Sequence, residues 1–130
     1  MDLRTFINIY DLHDNGIENI HHFPDSKQLI IDLILCNWRQ DFYKAGDPEL
    51  LCGELLFTGV SFYNTQAKYD KFEQDEILRA DFVQPENTDK GVLEIILLAT
   101  YFPSKEEEIK IIKIEAEKVL WKFVKVFEQI

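Results

Sequence analysis

Residues 104–130 read SKEEEIKIIKIEAEKVLWKFVKVFEQI, and their secondary structure decides between two fold classes. Ser104 followed by Glu107 fits a helix-capping box. Ile109, Ile112, Ala116, Val119, Phe123, Val126 and Ile130 keep a three-to-four spacing that forms one stripe on a helix. A long C-terminal helix makes the chain α+β. Against it, residues 109–114 (IKIIKI) are rich in β-branched side chains, and Ile111, Ile114 and Trp121 fall off the stripe. A strand folding back on residues 92–102 through Pro103-Ser104 accommodates them better. The reading therefore sets a strand at 107–116 and leaves 117–130 open between a further strand and a short terminal helix.

The partner run, residues 92–102 (VLEIILLATYF), is apolar on both faces, as a central strand is. Residues 28–38 (QLIIDLILCNW) share that property. Leu29, Ile31, Leu33 and Leu35 lie on one face, with Ile30, Ile34, Cys36 and Trp38 on the other, interrupted only by Asp32. A turn at Pro24-Asp25-Ser26-Lys27 links this run to residues 17–23 (IENIHHF), which predicts a hairpin. Residues 6–12 (FINIYDL) are apolar and β-prone and lead into His13-Asp14-Asn15-Gly16. That turn suits either a two-residue type I′ hairpin at Asn15-Gly16 or an Asx-turn at Asp14. Residues 50–63 read as a bent strand, with Gly53 and Gly59 where a strand bulges or another backbone comes close. Residues 76–83 alternate as a half-exposed strand. Residues 39–49 form a loop around Gly46-Asp47-Pro48, residues 64–75 a loop or short helix, and residues 85–90 (PENTDK) a turn.

This succession predicts a mostly β chain, residues 1–130 as a single domain. The expected architecture is an antiparallel β-sandwich or flattened open barrel of about six or seven strands. A short helix is allowed at 64–75 or at the C-terminus.

Hydrophobic residues make up 46% of the 130 residues, ample for a core. Net charge is −10, and its whole excess lies in residues 1–103, with eight basic and eighteen acidic side chains. Such a surface repels phosphate backbones and attracts cationic partners, so the expected partner is a basic protein and not nucleic acid. No apolar run reaches the roughly 20 residues that span a bilayer. Cys36 and Cys52 lie in strand-like apolar runs and read as buried free thiols; with no visible secretory signal, a cytoplasmic setting is expected.

His13, Asp14, His21 and His22 form the one local cluster that looks chemical. His21 and His22 are adjacent on a strand and point to opposite faces, so at most one can join His13 and Asp14. No metal-ligand spacing, phosphate loop or nucleophile motif occurs, and no cofactor is expected. In the simpler reading Asp14 caps the turn and His13 packs across it. Phe42, Tyr43 and Tyr69 stand in polar, loop-like stretches beside Asp41, Asp47, Asp70 and Glu73. Aromatics with a carboxylate rim suit a cationic partner.

Leu12-His13-Asp14-Asn15-Gly16-Ile17, a hairpin ending in Trp38, and Leu56-Phe57-Thr58-Gly59-Val60 give the pattern LHD-x-x-I near the N-terminus and F-x-G-V mid-chain. In layout the chain resembles a group of small uncharacterised bacterial all-β proteins. Some of these look like immunity proteins of polymorphic toxin systems. The resemblance implies an all-β domain and a protein-binding role, and brings no catalytic residues. Two functions follow as expectations: a non-enzymatic acidic protein-binding module that neutralises a basic toxin, or a small-molecule or metal-dependent enzyme using His13 and Asp14. Oligomeric state is not legible.

Overall fold

A computed structural model describes residues 1–69, 71–84 and 91–128. It consists of one short helix, α1 (Leu3–Ile9), and eight strands: β1 (Gly16–Phe23), β2 (Gln28–Cys36), β3 (Leu50–Thr58), β4 (Phe62–Gln66), β5 (Asp75–Val83), β6 (Val92–Tyr101), β7 (Glu106–Glu115) and β8 (Lys118–Val126). All pair antiparallel in a single open sheet of order β4-β7-β6-β5-β1-β2-β3-β8, which does not close into a barrel. The expected mostly β class is therefore the observed one.

The described part of the tail forms two strands and no helix. β7 pairs with β6 from Leu93↔Ile114 to Tyr101↔Glu106 across the Pro103-Ser104 turn, and β8 adds a further strand. The three-to-four spacing of the tail is coincidental, because β7 buries alternate residues, Lys110, Ile112 and Ile114. The bent strand also holds. β3 and β4 are two halves of one run turned at Gly59, whose φ of 64° suits glycine. β7 and β8 turn beside it: Ser61 donates to the Glu115 carbonyl at 2.9 Å and Glu117 to that of Thr58 at 3.1 Å. The division of residues 50–63 into β3 and β4, with β8 added and no strand at 6–12, gives eight strands.

Two expectations need correction. Residues 6–12 are not a strand: Leu3–Ile9 is helical, with Asp2 capping the Thr5 N–H at 2.7 Å. Leu3 and Phe6 share one face of that helix and are buried, so packing overrides the β preference of the isoleucines. No helix occupies the described part of 64–75, whose first residues belong to β4. The turn expected at 85–90 lies outside the described residues.

The core-facing rows match across the ladders, Leu29↔Phe57 and Ile31↔Leu55 in one half and Leu93↔Ile114 and Ile95↔Ile112 in the other. With Leu3, Phe6 and Ile17 they form one apolar cluster. Each such side chain contributes about 1.5–3 kcal/mol by leaving water. β1 touches β5 through only two residue pairs, Gly16↔Glu76 and Ile17↔Asp75. That short junction leaves residues 10–15 and 37–42 packed together beside the first half of β5, hereafter the loop end. No helix is long and apolar enough to cross a membrane among the described residues.

Candidate functional site

The loop end is assembled by polar side chains that satisfy backbone groups. Asp11 Oδ1 accepts from the His13 N–H at 3.0 Å, an Asx-turn that starts the reversal. Asp14 then adopts φ 67°. Its N–H donates to the Ile77 carbonyl at 2.9 Å, and the Ile77 N–H returns to the Asn15 carbonyl at 2.8 Å. Asn15 is fully buried, its Oδ1 accepting from the Cys36 N–H at 2.9 Å. The segment is thus clamped between β5 and the end of β2, and the hairpin expected between 6–12 and β1 does not form.

After β2 a 3-10 turn, Asn37–Arg39, directs two side chains back onto this segment. Gln40 Nε2 donates to the carbonyls of Asp11 and Cys36 at 2.8 and 3.0 Å, while its Oε1 accepts from the Asp11 N–H at 2.9 Å. Arg39 donates from Nε to Asp11 Oδ2 and from Nη1 to Asp14 Oδ2, both at 3.2 Å. His13 Nδ1 lies 3.3 Å from Asp14 Oδ1. Glu76 completes the group from β5. Burial raises its carboxyl above the ordinary value, and so do a hydrogen bond with Asp14 and the charge of Asp14. A cleft of about 370 Å³ opens beside this group, lined by Asp11, His13, Arg39, Asp41, Arg79 and residues of α1. Trp38, whose ring lies 5.3 Å from the Arg39 guanidinium, and Phe42 are 48% and 49% exposed and touch residues that line the cleft. The Phe42 ring meets Tyr10 edge-on at 5.8 Å, and Tyr10 stacks on Phe6 at 4.7 Å, so an exposed aromatic is anchored to the core.

Of the residues predicted from sequence, His13, Asp14, Asp41 and Phe42 therefore gather at one place. Tyr43 and Asp47 instead hold their own loop: the Tyr43 hydroxyl donates to the Asp47 carbonyl at 3.1 Å, and Asp47 Oδ2 accepts from the Lys44 N–H at 3.1 Å. Neither His21 nor His22 joins His13. His21 Nε2 pairs with Asp32 Oδ2 at 3.0 Å, and the His22 ring meets Tyr63 at 5.0 Å. Tyr69 and Glu73 belong to a second centre. Tyr69 meets Tyr101 edge-on at 4.8 Å and Glu73 pairs with Lys71 at 3.3 Å, around the buried Lys110–Asp75 ion pair. Asp70 lies outside the described residues.

Asp11, Arg39 and Glu76 are site residues that the sequence reading missed. Arg39 lies 25 residues from Asp14, and no local pattern announces the pairing. Burial and the charge of Asp14 push the Cys36 thiol up, and its Sγ donates to the Asp14 carbonyl at 3.3 Å, so it is a structural thiol. Among the described residues no group of three or more His, Cys, Asp or Glu side chains is arranged to hold a metal ion. Comparison with protein-family models, curated proteins and solved structures finds no match to this chain.

Chemically, the loop end offers four carboxyl groups, Asp11, Asp14, Asp41 and Glu76. Arg39 spans two of them, and Arg79 is engaged by Asp81 at 2.7 Å. The surplus is negative and borders exposed aromatic rings. That combination suits a guanidinium or ammonium group delivered by a partner.

Proposed function

We propose that this chain is a non-enzymatic protein-binding module that receives a basic partner at the loop end, in the manner of an immunity protein covering a cationic toxin surface. The observation that carries the reading is the anchored, half-exposed Phe42 beside Asp41 and the Asp11–Asp14–Glu76 carboxyl group. Interfaces concentrate their binding energy in aromatic anchors, while flanking charges govern encounter and selectivity. The surplus of carboxylates at the loop end has the sign this requires. Affinity for a basic protein encoded beside this chain's gene, measured at low and moderate ionic strength, tests it. The reading expects a complex that weakens with salt and is lost in D41N/F42A. A complex indifferent to both changes, or none with any neighbouring basic product, contradicts it.

A second reading rests on Glu76, whose carboxyl is raised by burial and by Asp14 beside it, next to His13 and Asp11, which line a cleft. It makes the same residues an acid–base centre for a small molecule. Turnover of a small substrate that E76Q abolishes while leaving basic-protein binding intact favours it over the first.

A further inference from the structure

β8 is an edge of the sheet, bonded to β3 on one side and to no other strand among the described residues. Its outer edge already accepts extended chain at one point. Val119 donates its N–H to the Met1 carbonyl at 2.8 Å and accepts from the Met1 amino group at 3.2 Å. Main-chain groups alternate in direction along a strand, so the next outward pair belongs to Trp121. Beyond Val119 the strand carries Leu120, Phe123, Val124 and Val126, exposed by 58, 53, 55 and 43%. Single exposed apolar residues are ordinary. Four within seven positions on an unpaired edge form a template for strand addition.

Lys118, Lys122 and Lys125 are spaced among them, and none takes part in an ion pair among the described residues. Lysines on an edge are a familiar guard against self-pairing, since a second copy of β8 brings ammonium groups against ammonium groups. The same lysines define what the edge accepts. On a molecule of net charge −10 they form a positive strip. We propose that the free edge of β8 binds an extended segment of another protein in which acidic and apolar residues alternate, added as a further strand beyond Val119. Its carboxylates meet Lys118, Lys122 and Lys125, which the ladder with β3 puts on one face of β8, and its apolar side chains, on the other face, cover the exposed Phe123. This surface is separate from the loop-end carboxyl group, so either can be lost without the other.

The test uses the full chain and a short synthetic peptide of alternating Glu and Val, followed by amide exchange at residues 120–126 and by Trp121 fluorescence. The proposal expects slowed exchange of the β8 amides on peptide addition and an affinity that falls with salt. It also expects about a tenfold loss in K122E/K125E, with no loss in D41N/F42A. A Lys–Val peptide is expected to bind K122E/K125E in preference to the wild type. No protection of β8 at saturating peptide overturns the proposal, as does equal wild-type affinity for the Lys–Val peptide. Protection that grows with protein concentration and without peptide overturns it in favour of a second copy.

Discussion

Lys110 Nζ lies 2.6 Å from Asp75 Oδ2, and both side chains are shielded from water, 0% and 1% exposed. Lys110 occupies a core-facing position of β7, in phase with Ile112 and Ile114, where a lone ammonium would be untenable. Asp75, the Lys71 carbonyl and the faces of Phe72 and Tyr101, at 4.2 and 5.4 Å, close around it. The pair joins β7 to the start of β5 beside the loop end. Removing one partner strands a buried charge, so Asp75→Asn is expected to cost about 3–5 kcal/mol in a urea titration. The double change Lys110→Met with Asp75→Leu recovers most of that loss. A stable Asp75→Asn protein contradicts this account of the pair.

Asn15→Ala deletes the oxygen that satisfies the buried Cys36 N–H. The orphaned donor costs about 1–3 kcal/mol, and the clamp that sets Asp14 against Arg39 loosens. Faster amide exchange at Cys36, together with a lowered unfolding midpoint, is the expected pair of signals. Unchanged exchange at Cys36 argues against this clamp.

Gly53→Ala tests the close pairing of β3 with β8. A methyl group there would sit 2.5 Å from the Lys122 carbonyl oxygen and collide with the Trp121 ring, at a register shift between Cys52 and Gly53. Backbone cannot yield as a flexible side chain does, so overpacking of about 1–3 kcal/mol is expected. A shifted Trp121 fluorescence maximum should accompany it. Wild-type stability and fluorescence in this variant would place the strands further apart.

The raised Glu76 carboxyl makes a pH prediction whose direction is fixed. The folded chain holds this proton more tightly than the unfolded chain does. Stability from Glu76 is thus full below the ordinary value of 4.5 and falls as pH rises from there through the raised value. Glu108 acts oppositely. The Tyr101 hydroxyl donates to it and lowers its carboxyl, so its contribution is present above the ordinary value and is lost as pH falls through the lowered one. Urea titrations of wild type and E76Q across this range should show wild type losing ground to E76Q as pH rises past 4.5. A constant difference between the two proteins would mean that Glu76 is not perturbed.

How far the sequence was legible follows from where each signal resides. β2 and β6 were plain because central strands are apolar on both faces, and β7 because β-branched residues dominate 109–114. Gly59 announced the bend because glycine takes a φ of 64° without a steric penalty. The helix at Leu3–Ile9 was missed because Phe6, Ile7 and Ile9 favour strands. Its signals were the Asp2 cap and the burial of Leu3 with Phe6, and the latter depends on the assembled sheet. The loop end was half legible. Asp41, Phe42, His13 and Asp14 stood out by type, whereas Arg39, Glu76 and the Lys110–Asp75 pair meet partners far away in sequence only in the folded chain. His21 and His22 were correctly set on opposite faces, yet their partners Asp32 and Tyr63 come from other strands.

On the proposed reading the loop end receives a basic protein. Titrating isotope-labelled chain with such a protein at low ionic strength, and following the backbone amides, tests it most directly. The account predicts shifts confined to residues 10–15, 36–42 and 76–80, fading as salt is added. Shifts centred on the opposite turns at 24–27 and 59–61, or none at saturating partner, would contradict it.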